Sequence, residues 1–139
     1  MYVIDTNILL KIVLKEERSE ECEMFLSKIQ SGELSAIICD FSIDSALIIM
    51  ENNGADSFAL SIFLNSLMYY KGLTIYEISL KDRIVACNHI RNYKLDYDDS
   101  IILQTLFSNQ ITELVSFDSD FDEIREIKRL EPHTIISPV

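Results

Sequence analysis

Apolar residues are distributed along this chain in two textures. Short runs rich in β-branched residues occur at Tyr2–Ile4, Ala36–Cys39, Thr74–Ile78, Glu113–Ser116 and Thr134–Ile136, and each reads as a short buried strand. The longer stretches between them repeat with a helical period. Cys22, Phe25, Leu26 and Ile29 recur at i, i+3, i+4 and i+7, and Phe58, Ile62, Phe63 and Leu67 do likewise on a second helix. The implied order is β-α-α-β-α-α-β-α-α-β-α-β. Strands separated by helices call for right-handed crossovers. The expected fold is therefore three-layer α/β/α, with a mostly parallel five-stranded sheet covered by helices on both faces.

The chain has 139 residues, three glycines and two prolines, with no repeat and no low-complexity linker. It reads as one domain spanning residues 1–139. No apolar run reaches the ~20 residues of a membrane span, and "MYVID" reads as a strand rather than a secretory leader. Cys22, Cys39 and Cys87 show no C-x-x-C spacing; they are expected to be buried thiols in a reducing cytoplasm.

In a parallel α/β sheet, ligands bind beyond the carboxyl ends of the strands, and acids gather at just those places. Asp5 ends the first strand in "VIDTN", and Asp118 and Asp120 follow the fourth in "LVSFDSDFD". Asp96, Asp98 and Asp99 open a helix in "KLDYDDSIILQTLF", while Asp40 and Asp44 follow the second strand. Close like charges cost on the order of 1–4 kcal/mol per pair at surface-like dielectric, which a bound divalent cation relieves. Mg²⁺ and Mn²⁺ are hard ions that prefer carboxylate oxygen and water. Each acid also has a structural reading. Asp5, Asp40 and one of the Asp96–Asp99 group suit helix N-caps, as do Asp120 or Asp122 for a helix through Ile124 and Ile127.

Taken in order, "YVIDTNILL", "LDYDDSIILQTL" and "LVSFDSDFD" resemble the PIN-domain nucleases, and among them the small prokaryotic proteins typified by VapC toxins. The resemblance runs from Met1 to about Phe121. It implies Asp5, Asp99 and Asp118 as catalytic metal-binding acids, with Asp98 the alternative to Asp99 across one peptide bond. It also implies Asp120 as an added neighbour, and Asn7 and Ser116 as orienting groups. The helical Glu usual in this family falls at Ser45, with Asp44 one residue earlier, about 100° away around a helix. Asp44 either reaches the site through a shifted helix start or leaves a ligand missing.

The activity implied by the resemblance is Mg²⁺- or Mn²⁺-dependent hydrolysis of RNA, with an antitoxin protein and a homodimer as expected partners and a cytoplasmic location. A net charge of −11 argues against broad counterion-release binding of nucleic acid. Substrate contact would need a local basic patch. Lys81, Arg83, Arg91 and Lys94, opposed only by Asp82, offer one, and Lys11, Lys15 and Arg18 another. His89 and His133 accompany no nucleophile pattern, and Tyr69, Tyr70, Phe58, Ile62 and Phe63 suit core or dimer packing. Two other classes remain in view. One is a catalytically weakened PIN-fold module that binds RNA or a protein, motivated by the absent Glu. The other is a receiver-like phosphoacceptor, disfavoured because "IDTN" carries a single acid.

Overall fold

The structure is a computed structural model describing residues 1–137. Five parallel strands form one sheet: β1 (Tyr2–Ile4), β2 (Ala36–Cys39), β3 (Leu73–Tyr76), β4 (Glu113–Val115) and β5 (Lys128–Leu130), in the spatial order β3-β2-β1-β4-β5. Helices α1 (Thr6–Val13), α2 (Ser19–Ser31), α3 (Asp40–Asn52) and α4 (Ser57–Leu67) lie among the connections up to β3. Helices α5 (Leu80–Tyr93) and α6 (Tyr97–Ser108) join β3 to β4, and α7 (Pro132–Ile136) follows β5. No helix among the described residues is long and apolar enough to cross a membrane.

Strand alternation builds the layers. Ile4, Ala36, Ile38 and Val115 point into a core with Ile8, Phe25, Ile29, Ala46 and Leu67 from α1 to α4. Val3, Ile37, Cys39 and Leu114 point the other way, into a second core with Ala86, Ile101, Leu103, Leu106 and Phe121. Helix α6 is buried continuously from Ser100 to Leu106. Its first turn emerges from that buried stretch at a cleft, with Asp98 and Asp99 among the lining residues. The strand order reverses direction between β1 and β4, and that is where an α/β sheet opens its ligand crevice.

Several expectations are corrected. The last strand is Lys128–Leu130, whereas Thr134–Ile136 belongs to α7. Pro132 is preset for the first helical turn, and Ile135 and Ile136 turn onto the core beneath α1 and α2. Lys128–Leu130 is a polar edge strand, which weakens its apolar signal. The helix expected through Ile124 and Ile127 is a 3₁₀ turn at Ser119–Phe121 followed by irregular turns. There the Asp118 carboxylate accepts the Asp120 N–H at 2.9 Å, a local bond that competes with α-helix. Asp40 is the first residue of α3 rather than its cap, and its Oδ1 accepts the N–H groups of Phe41 and Ile78. Cys87 is exposed, although Cys22 and Cys39 are buried. On α4, Phe63 and Leu67 face the core while Phe58 and Ile62 are exposed, and Tyr69 beyond it is exposed as well.

Candidate active site

Beyond the ends of β1 and β4 lies a cleft of about 280 Å³. Asp5, Asp96, Asp98, Asp99 and Asp118 line its acidic side, and Leu10, Phe41, Ile49 and Ile102 its apolar wall. Three aspartates are placed by helix starts. Asp5 caps α1, its Oδ1 accepting the Thr6 N–H at 2.7 Å. Asp96 caps α6, accepting the Asp99 N–H at 2.9 Å. Asp118 caps the 3₁₀ turn. The structural reading of these acids and their gathering at one cleft hold together: capping fixes the backbone, and the fold brings the caps to one rim.

Ser116 joins the first and last of these segments. Its Oγ donates to Asp5 Oδ2 at 2.7 Å and accepts the Asp118 N–H at 3.0 Å. Asn7 Nδ2 donates to Ser116 Oγ at 3.3 Å and to Asp5 Oδ2 at 3.4 Å, and Asn7 Oδ1 accepts the Phe117 N–H at 3.4 Å. The two polar residues expected to orient the site therefore hold Asp5 and the Asp118 loop in one network.

Burial, with neighbouring charge added, raises two carboxyls of the cleft. Burial pushes Asp5 up to about 6, against the lowering effect of the Ser116 hydroxyl and the Thr6 amide, with the Asp118 and Asp98 charges adding to the rise. Burial and the charges of Asp118, Asp96, Asp5 and Asp120 push Asp99 up to about 8. A cation beside Asp5 and Asp99 would favour their charged forms. Carboxylate oxygens of Asp99, Asp118 and Asp120 lie within 4.8 Å of one another, a spacing one ion can bridge. This hard oxygen donor set fits Mg²⁺ or Mn²⁺. Asp5 and Asp98 line the same cleft but lie outside that trio, Asp5 buried and Asp98 exposed.

The sequence-expected residues separate here into two groups. Asp5, Asn7, Asp98, Asp99, Ser116, Asp118 and Asp120 gather at the rim. Asp44 does not. It is exposed, and Ser45, the next residue on α3, faces the cleft with Ile49 one turn on. The helix start is thus not shifted, and the wall that would carry a Glu is neutral. The basic stretch is split as well. Lys94 ends α5 beside Asp120 and Glu123, around a polar recess next to the cleft, with Arg91 on the same last turn. Lys81 sits at the opposite end of α5, and Arg83 turns inward to donate to the Ile78 carbonyl at 2.5 Å. Lys11 lies over the Phe117 ring at 5.5 Å and Arg18 at 4.4 Å, so both abut the Asp118 loop.

The PIN domain family matches residues 2–127. This chain is a member of the PIN domain family. PIN domains are generally nucleases that use divalent metals, and an aspartate cluster is present in this one. No curated protein matches this PIN domain in sequence, but solved structures do in fold. A chain of a toxin–antitoxin complex from Klebsiella pneumoniae is 20% identical, with a TM-score of 0.68 over 95% of this chain and 98% of that one. Mycobacterium tuberculosis VapC20, a sarcin-ricin loop cleaving toxin, is 10% identical with a TM-score of 0.72 over 88% and 93%. A VapBC2 chain from Rickettsia felis, bound to a DNA fragment from its promoter, is 14% identical with a TM-score of 0.66 over 94% and 97%. At such identities the likeness is one of fold.

Sequence reasoning did not anticipate the apolar wall of Leu10, Phe41, Ile49 and Ile102 or the contacts of Arg129. The wall residues carry no motif that marks them in the sequence, and Arg129 lies on β5, a strand expected instead at Thr134–Ile136.

Proposed function

We propose that this PIN domain is an Mg²⁺- or Mn²⁺-dependent endoribonuclease and the toxin of a toxin–antitoxin pair. One observation carries the reading: Asp5, Asp99 and Asp118, from three separate segments, converge on one cleft at the β1–β4 crevice. The toxin role is supported by likeness in fold to proteins described as toxins or as parts of toxin–antitoxin complexes. Asp5, Asp99 and Asp118 would hold the ion, with Asp98 and Asp120 completing its surroundings.

A bound divalent ion would polarise the scissile phosphate and lower the pKa of a water to generate the nucleophile. The chain's own residues do the rest. Ser116 and Asn7 fix Asp5 and the Asp118 loop, so the carboxylates are positioned before substrate arrives. Lys94 and Arg91 supply positive charge beside the acidic rim for the RNA backbone, whereas Lys81 and Arg83 lie too far along α5 to join them. Leu10, Phe41, Ile49 and Ile102 leave the other side of the cleft apolar. We place the protein in the cytoplasm as a single PIN domain, with an antitoxin protein as partner. Exposed Phe58, Ile62, Met68 and Tyr69 support a second copy of the chain as a further partner.

The second reading is a catalytically weakened PIN module binding RNA or a protein, favoured by Ser45 standing where the family usually has Glu. Calorimetric titration with Mn²⁺ separates the two. Saturable binding supports the nuclease, and no binding at millimolar metal supports the module.

A further inference from the structure

We propose that Arg129, on β5 and outside the cleft, is a positioning residue that sets the metal-binding geometry of Asp5 and Asp118. The inference rests on the metal-site reading above. Three observations carry it. First, the Arg129 guanidinium is fixed from several sides. Its Nε and Nη2 grip both oxygens of Asp122 at 2.6 and 3.1 Å, and Nη1 donates to Glu131 Oε2 at 2.9 Å. Planar two-point contact of this kind directs a guanidinium more exactly than a single ion pair. The side chain is also only 15% exposed, so solvent screens the contacts less than at an open surface.

Second, the same Nη1 donates to the Ser116 carbonyl at 3.0 Å, while the Ser116 N–H donates to the Leu130 carbonyl at 3.0 Å. The backbone of Ser116 is thus held on both sides by β5. That is the residue whose hydroxyl donates to Asp5 and accepts from the Asp118 amide. The path from guanidinium to carboxylates is continuous and passes through one residue.

Third, the clamp extends to Phe117, between Ser116 and Asp118. Glu131 also accepts from Arg18 Nη2 at 2.6 Å, and the Arg18 guanidinium lies 4.4 Å from the Phe117 ring centre. Arg18, Glu131, Arg129 and Asp122 form a chain of alternating charge along the back of the loop. None of the four lines the cleft. Polar groups behind a ligand set commonly change metal affinity when removed, by about 10–100-fold.

The test is Mn²⁺ affinity by calorimetry on the intact chain, with folding followed by circular dichroism. Arg129→Gln is expected to weaken Mn²⁺ binding by about 10-fold while the folded signal is kept. Arg129→Lys, which can still donate one bond to the Ser116 carbonyl, is expected to recover part of that loss. Lys128→Gln removes the same charge from the exposed neighbouring position and is expected to bind Mn²⁺ like wild type. Should Arg129→Gln fail to fold, Asp122→Asn at a half-exposed side chain carries the test, with a loss in the same direction expected. Wild-type affinity in a folded Arg129→Gln or Asp122→Asn protein would overturn the proposal. So would equal losses in Arg129→Gln and Lys128→Gln, which would mean that net charge alone matters. Absence of Mn²⁺ binding in wild type would instead overturn the metal-site reading itself, and this proposal with it.

Discussion

Asp99→Asn should make the metal-free protein more stable and the metal-loaded protein relatively less so. Asp99 is half-buried among Asp118, Asp96, Asp5 and Asp120, and its carboxyl is pushed from its ordinary 3.8 up to about 8. At about 1.4 kcal/mol per pKa unit the shift alone would amount to about 6 kcal/mol. The side chain is only half-buried, so solvent screening reduces this to about 2 kcal/mol. The sign follows from proton linkage. The folded state binds a proton that the unfolded state has lost, so folding stability from this group falls as pH rises from about 4 to about 8. Asparagine has the same shape without the charge. At pH 8 with chelator it should raise the melting temperature by about 6–8 °C for a chain of this size, and the gap should narrow as pH falls towards 4. Excess Mn²⁺ should reverse the order. At a hundredfold excess over Kd, wild type gains about 2.7 kcal/mol that the variant lacks. Thermal unfolding of both proteins, with chelator and with Mn²⁺, provides the comparison. A variant no more stable than wild type in chelator at pH 8, or equal stabilisation of both by metal, would refute the reasoning.

Other residues give independent tests. Ser45→Glu places a carboxylate on the neutral wall of the cleft, and should tighten Mn²⁺ binding by about 10-fold or more in calorimetry while lowering metal-free stability at pH 8. Asp82 is a buried carboxylate away from the cleft that accepts from Tyr76 Oη, the Ser79 N–H, Gln104 Nε2 and Ser108 Oγ at 2.8–3.1 Å. Burial opposes its ionisation, but these donors outweigh burial and hold the carboxyl below its usual range. Its contribution is therefore present above the ordinary carboxylate range and lost on strong acidification. Asp82→Ala should cost about 2–4 kcal/mol in urea unfolding at pH 7, and a loss under about 0.5 kcal/mol would contradict the network's role. Lys94→Gln should raise KM for RNA and lower the salt dependence of binding by about one unit of log–log slope. Lys81→Gln, at the other end of α5 and about 20 Å away by helical rise, should leave both unchanged.

What the sequence disclosed follows from which signals are local. β2 is buried throughout and α6 from Ser100 to Leu106, and their apolar runs announced them. Asp5 and Asp118 could be placed at one edge because each follows a strand, and strands alternating with helices imply a mostly parallel sheet with its carboxyl ends on one side. Lys128–Leu130 was missed because an edge strand with two cations has little apolar signal, and the β-branched residues of Thr134–Ile136 imitated one. Asp99 and Asp98 could not be separated by spacing alone. The difference depends on how the first turn of α6 is rotated, and that is set by packing of the whole helix. Arg129 was invisible because its partners, Asp122, Glu131 and the Ser116 carbonyl, are joined by tertiary contact rather than by any motif. One residue of helix rotation turns Ser45 to the cleft and Asp44 to solvent, a difference that depends on how α3 packs.

If Asp5 and Asp118 hold an ion that drives RNA cleavage, neither carboxylate can be neutralised without loss of activity. The most direct measurement compares the rate of RNA cleavage by wild type, Asp5→Asn and Asp118→Asn, each with Mn²⁺ and with excess chelator. Wild type is expected to cleave only with metal, chelator to abolish that cleavage, and neither folded variant to cleave. Full activity in both variants, or cleavage that persists in chelator, would contradict that role.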